Sequence, residues 1–240
     1  MLPPVVPQGR RPHEFRSDGD ELLLTLAAAD AIRPDDAILD IGCGSGLLAR
    51  PLTEFLVPGG TYLGVDVSQE AIEWCARAYT EYEYFSFAHA DVANAFYRPE
   101  GFVPASEFRF PAEDGSVDVV AFATVFAHLV TAEAAHYLRE AARVLRPGGM
   151  VIVGAYLLDL ASRAAIARGL ATPAFDLTAE AGPMVVVDPD LPEEAVAFEH
   201  TWFEQVTVEC GFKQVAATPG SWRGGLARFD RDLVVLEWAP

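Results

Sequence analysis

The residues whose types could do chemistry are set out by spacing. Gly42, Gly44 and Gly46 alternate directly after an apolar run, and Asp40 stands two residues before the first of them. Asp66 follows Gly46 by 20 residues (66 − 46). Glycines let the main chain turn sharply and let a ligand approach without a Cβ in the way. A helix starting after them aims its free amide groups into the same gap. A dinucleotide fingerprint reads G-x-G-x-x-G and places a pyrophosphate at the helix N-terminus. Here the spacing is G-x-G-x-G, and a carboxylate at position 40 repels phosphate and suits an ammonium group. The pattern therefore favours a zwitterionic, amino-acid-bearing nucleoside over NAD. Asp66 stands at the offset from which an acidic residue accepts from both ribose hydroxyls in nucleoside-binding units. Its competing structural role is to cap the next helix, a task for which Ser68 is better placed. His128 is the one histidine just past a strongly apolar strand, and imidazole titrates near neutrality. It reads either as a general base or as a brace for a helix start. Cys43, inside the glycine loop, reads otherwise as a small tolerated residue.

Alternating elements must position these groups. Ile38, Leu39 and Ile41 form a strand suited to burial on both faces, and residues 47–56 read as the helix after the loop. Residues 61–65 make a second strand ending at Asp66, and residues 69–79 a helix capped by Ser68. Residues 84–88 make a third strand running into His89-Ala90-Asp91-Val92. A fourth strand, 117–121, is followed by a helix over 131–145 that Thr131 can cap. Arg146-Pro147-Gly148-Gly149 is a turn into a fifth strand, 150–157. Ahead of these, residues 1–16 read as a loose arm or as a lid carrying residues 13–16, and a helix begins near Ser17 with Asp20 as its capping partner. Residues 93–108 are longer and more aromatic than a connection needs, with Asn94, Phe96, Tyr97 and Arg98 either facing a substrate or anchoring the loop. Residues 159–199 break the alternation. Such insertions at the carboxyl edge of an α/β sheet build substrate pockets, so this one reads as a substrate cover. A helix over 201–210 and strands over 214–217 and 233–238 close the chain.

With those pieces in order, the chain resembles the class I S-adenosylmethionine (SAM)-dependent methyltransferases. Their first motif ends in D/E-h-G-x-G-x-G, as in AILDIGCGSG here. VDVVAFATVFAHL looks like their fourth-strand motif, and RVLRPGGMVIV is close to their usual wording after the fourth helix. The resemblance implies a doubly wound α/β fold: a mostly parallel seven-stranded sheet, an antiparallel last strand and the 159–199 insertion, in a single domain over residues 1–240. It implies SAM as cofactor, with Asp40, Gly42, Cys43, Gly44 and Gly46 around its methionine end and Asp66 and Val67 at the ribose. Asp91 would accept from the adenine amino group, the Val92 amide would meet a ring nitrogen, and the Ala123 carbonyl would face the methionine. Tyr97 and Tyr156 are the candidate substrate contacts and His128 the candidate catalytic base. Thr124 stands where the family often has an acid, a departure from its pattern. The implied reaction is direct displacement at a sulfonium methyl.

Composition bounds the partners. A net charge of −18 over 240 residues repels nucleic-acid backbones and anionic membranes, and serves solubility equally well. The expected substrate is a small molecule, with no nucleic acid and no membrane partner. No secretory leader is read at the start, so the expected location is cytoplasmic. The three cysteines, Cys43, Cys75 and Cys210, fit no disulfide framework or zinc spacing, and His89 with Asp91 lacks further ligands, so no metal is expected. The reading is O-methylation of a small molecule, an oxygen preference resting on His128. N-methylation of a small amine and a non-catalytic SAM-binding role are the alternatives.

Overall fold

The structure is a computed structural model, and it describes residues 12–178 and 182–239. The first part of the expected arm, residues 1–11, lies outside the described residues. The remainder of it is helix: α1 runs Pro12–Ala28, starting five residues before the predicted Ser17, with Phe15, Leu22, Leu23 and Leu26 buried. The Ser17/Asp20 pairing is therefore internal to the helix and not its start. Gly19 explains how close α1 comes to the glycine loop. A Cβ at this position would meet the Leu47 carbonyl oxygen at 2.5 Å.

The strands follow the apolar runs. Those of the main sheet are β1 (Ala37–Ile41), β2 (Thr61–Asp66), β3 (Phe85–His89), β4 (Val117–Phe122), β5 (Leu145–Leu158), β6 (Met184–Val186), β7 (Val196–Glu199), β8 (Phe212–Thr218) and β9 (Asp232–Trp238). Seven of them form the main path in the order β8-β9-β5-β4-β1-β2-β3. β1 lies parallel between β2 and β4, while β9 runs antiparallel to both β5 and β8. This is the class I methyltransferase arrangement, antiparallel last strand included. The insertion extends it: β7 pairs in parallel with Tyr156–Leu158 of β5, and β6 pairs antiparallel with β7. The sheet thus has nine strands where seven are expected.

Two expectations about element ends change. Arg146-Pro147-Gly148-Gly149 does not separate a helix from a strand. Leu145 already pairs with Val117 and Met150 with Val119, so the four residues bulge from one continuous β5. The helices are α2 (Ala49–Phe55), α3 (Gln69–Ala78), α4 (Thr131–Val144), α5 (Leu160–Ala167) and α6 (His200–Glu209). Ser68 caps α3 by accepting from the Ala71 amide at 3.2 Å. Thr131 is the first residue of α4, not its cap. The Glu133 carboxylate instead accepts from the Val130 amide at 3.0 Å, the reciprocal half of a capping box.

Candidate active site

The glycine loop is held from below by β2. The amides of Gly42 and Cys43 both donate to the Val65 carbonyl, at 2.7 and 3.1 Å. Gly42, Gly44 and Gly46 all have positive φ, which only glycine adopts without strain. Asp66, at the tip of β2, completes the cradle. Its Oδ2 accepts from the Gly44 amide at 2.7 Å and its Oδ1 from the Ser68 amide at 2.8 Å. Burial pushes its carboxyl up, and those amides pull it back. Each oxygen keeps a lone pair for a hydroxyl.

Above the loop lies a cavity of about 370 Å³, within the range of small-molecule sites. It is lined by Gly42, Gly44, Asp66 and Val67, by the apolar Val92, Phe108 and Leu129, and by Asn94, Tyr97, Thr124 and His128. The open side of Gly44, where a Cβ would meet nothing within 4 Å, faces a ligand-sized space.

Asp40 does not line this cavity. It is 2% exposed, accepts from the Tyr62 hydroxyl at 2.7 Å, and its Oδ1 is buried without a partner. Burial pushes its carboxyl up to about 7. Cys43 is buried too, its thiol raised well above the usual range by burial. The Cys43 and Cys75 sulfurs both contact the Gly44 carbonyl at 3.6 Å, so they pack under the loop.

Three further expected site residues do not line this cavity. Asp91 is exposed, and its carboxylate accepts from Arg98 Nε at 2.7 Å, which holds it below the usual range. Its neighbours Ala90 and Val92 line the cavity instead. Arg98, seven residues on, was the available signal. Ala123 faces a different space: its carbonyl points at Gly154 of β5, where a Cβ would come within 2.0 Å of it. Tyr156 lines neither cavity. It is 4% exposed, with Phe175 and Trp222 rings at 5.2 and 5.3 Å, because the insertion covers that face of β5.

His128 and Tyr97 do come together. The Tyr97 hydroxyl is 3.3 Å from His128 Nε2, and the rings meet edge-on at 4.8 Å. His128 Nδ1 lies 3.0 Å from the Glu193 carbonyl. A carbonyl only accepts, so Nδ1 carries the proton and Nε2 the lone pair. Asn94 clamps the same turn by donating to the His128 carbonyl at 2.9 Å, while its own Oδ1 accepts from the Tyr97 amide at 2.9 Å. Desolvation, with the charge of Arg231, lowers the imidazole to about 4, so it is neutral at physiological pH. Glu193 belongs to the insertion and was not anticipated. No sequence signal links it to His128, because the fold alone joins them. Its carboxylate also accepts from the Ala95 amide at 3.2 Å.

A second cavity, of about 380 Å³, opens beside the first. Thr124 borders both. Glu14, Asp18 and Leu22 of α1 form one side, and Ala123, Gly154 and Arg231 lie among its other walls. None of the described residues of the insertion lines either cavity; the insertion reaches the site through Glu193. Among the described residues no cluster of three or more histidines, cysteines or acids could hold a metal ion, and no helix is long and apolar enough to cross a membrane.

Known proteins share this fold. Residues 39–153 match the methyltransferase domain family. An uncharacterized 37.1 kDa protein in transposon TN4556 of Streptomyces fradiae is 34% identical over 129 residues, covering 54% of this chain and 32% of that protein. The 27-O-demethylrifamycin SV methyltransferase of Amycolatopsis mediterranei is 33% identical over 135 residues, covering 55% of this chain and 43% of that enzyme. The chain thus matches less than half the length of these relatives. Among solved structures, the magnesium protoporphyrin IX methyltransferase of Synechocystis PCC 6803, with bound S-adenosylhomocysteine, is similar in fold. Its TM-score is 0.61 at 15% identity, covering 98% of this chain and 90% of that one. The fold is that of the class I SAM-dependent methyltransferases, and a little under half of the chain, residues 39–153, matches the methyltransferase domain family.

SAM is the cofactor of this class, and the residues present fit it. The space over Gly44 admits a ligand against the main chain, Asp66 presents acceptors for ribose hydroxyls, and the unpartnered Asp40 oxygen supplies negative potential behind the loop.

Proposed function

We propose that the protein transfers the methyl group of SAM to a hydroxyl oxygen of a small-molecule acceptor. The observation that carries this reading is the orientation of His128. Its Nδ1 proton is committed to the Glu193 carbonyl, which leaves the Nε2 lone pair toward the cavity. When bound, the cofactor supplies a methyl group activated by a sulfonium, open to direct displacement.

The chain supplies position and a proton acceptor. Asp66 and the glycine loop would hold the nucleoside, and the Val92–Phe108 wall would take its base. Holding two reactants in line can remove roughly 7–11 kcal/mol of barrier. His128 is a weak base, yet an oxygen becomes far more acidic as it is alkylated, so a weak base suffices late in the step. Nε2 would take the hydroxyl proton in the place where the Tyr97 hydroxyl now lies, 3.3 Å away. The name of the rifamycin-modifying relative places its methyl on oxygen, in keeping with this reading. Cavity sizes near 370 and 380 Å³ and a net charge of −18 favour a small acceptor over a nucleic acid or an anionic membrane.

The test is incubation with SAM and a panel of alcohols, phenols and amines, following S-adenosylhomocysteine release and locating the new methyl by mass spectrometry and NMR. Methyl ethers are expected. Products methylated on nitrogen alone would show the acceptor atom to be wrong. Tight cofactor binding with no turnover across the panel would favour a binding role instead.

A further inference from the structure

The second cavity has no occupant in the reading above, and its wall holds a guanidinium that internal contacts only partly explain. Arg231 is 7% exposed. Its Nη1 donates to Asp230 at 2.7 Å and its guanidinium carbon lies 5.1 Å from the centre of the Tyr156 ring. Its Nε is buried with no hydrogen-bond partner. A buried charged donor left unpaired is costly, and this one belongs to a side chain that lines a ligand-sized space.

The other charges around the cavity narrow what could meet it. Asp232 is already engaged by Arg223, by the Trp222 indole at 2.9 Å and by the amides of Gly220 and Leu157 at 2.8 and 3.0 Å. Asp230 is held by Arg231, and Arg228 lies 3.5 Å from Glu21 of α1. Glu14 and Asp18 face the cavity from α1 and oppose a multiply charged anion such as a phosphate ester. What remains is room for one acceptor oxygen of single charge, within electrostatic reach of His128 and next to Thr124.

Resting on the hydroxyl-methylation reading, we propose that the second cavity seats the body of the acceptor and that Arg231 receives a carboxylate on it, so that the substrates are small hydroxy acids whose hydroxyl lies toward Thr124 and His128. Arg231 is then a specificity-determining residue.

The test uses the whole chain saturated with S-adenosylhomocysteine and titrated calorimetrically with 2-, 3- and 4-hydroxybenzoate and with the methyl ester of each. At least one free acid is expected to bind ten-fold or more tighter than its ester. Arg231→Met should erase that difference while changing the affinity for S-adenosylhomocysteine less than two-fold, and Arg231→Lys should restore part of it. Equal binding of acids and esters, or binding of neither, overturns the proposal. So does a large loss of S-adenosylhomocysteine affinity in R231M, which would assign the guanidinium to the cofactor's own carboxylate. Should R231M not fold, the acid–ester comparison in the wild type together with R231K decides the matter. Turnover of the same panel, with the corresponding aminobenzoates added, separates the two readings. O-Methylation of acids and esters at equal rates sinks the role of Arg231 alone, whereas exclusive methylation of the aminobenzoate analogues on nitrogen sinks the hydroxyl reading.

Discussion

Two carboxylates at the ends of neighbouring strands are treated differently by the fold. Asp66 meets two backbone amides, and ribose hydroxyls would complete its set. Hydrogen bonds to a charged group are worth roughly 1.5–3 kcal/mol each. Asp66→Ala should therefore weaken S-adenosylhomocysteine binding by at least about ten-fold, measured by calorimetry. Unchanged affinity would remove Asp66 from the cofactor site. Asp40 is buried with one oxygen unpaired and its carboxyl is raised to about 7. Between about pH 4 and 7 the folded chain holds a proton that the unfolded chain has released. The stability linked to Asp40 is thus fully present below pH 4 and is lost as pH rises through 7. Asp40→Asn mimics the protonated group. The ligand-free variant should be more stable than the wild type above pH 7, by on the order of a few kcal/mol, and the gap should close toward pH 4. Melting curves of both proteins across that range decide it. His128 is shifted the other way, to about 4. Its titration should leave kcat flat from about pH 5.5 to 8, with no inflection near the usual histidine value. His128→Ala should lower kcat by about 10²–10⁴-fold with a much smaller effect on S-adenosylhomocysteine affinity, whereas equal losses in both would make the residue structural.

At the scale of elements, the fold's core was legible because strands buried on both faces read as continuous apolar runs. AILDI and VDVVAF are such runs, and they became β1 and β4. Ser68 was legible as a cap because capping chemistry is local. What sequence could not reach was any arrangement made by distant segments. The start of α1 is not legible because residues 12–16 carry a proline and charges, and only the burial of Phe15 shows them to be packed. Tyr156 lies near the end of β5's apolar run, but the rings of Phe175 and Trp222 cover it. Glu193 and Arg231 lie 65 and 103 positions beyond His128 and are brought toward it by topology alone. Gly19 is of the same kind, and it supports a prediction. In a helix, Gly→Ala ordinarily stabilises by about 1 kcal/mol. Here the new Cβ would meet the Leu47 carbonyl oxygen at 2.5 Å, and overpacking of that sort costs about 1–3 kcal/mol. Gly19→Ala should lower Tm, and since α1 walls the second cavity it should also raise KM for the acceptor. A higher Tm would mean that α1 does not press on the loop.

The whole molecule's charge bears on how an acceptor arrives. At −18 the chain surrounds its cavities with a negative potential, while Arg231 sits inside one of them. A carboxylate-bearing acceptor is repelled at long range and held at short range. These two forces respond differently to salt. The Debye length is about 10 Å at 0.1 M ionic strength and about 30 Å at 0.01 M, so added salt removes the distant repulsion first. The guanidinium, at 7% exposure, is much less screened. It follows that kcat/KM for a hydroxy acid should rise as sodium chloride is increased from 10 to about 150 mM, while the value for the corresponding methyl ester stays level. A protein whose acceptor is a cationic amine gives the opposite slope, because the same surface would draw that substrate in and salt would weaken the attraction. The sign of the slope, read from initial rates at subsaturating acceptor, therefore tests at long range the same charge that Arg231→Met tests at contact.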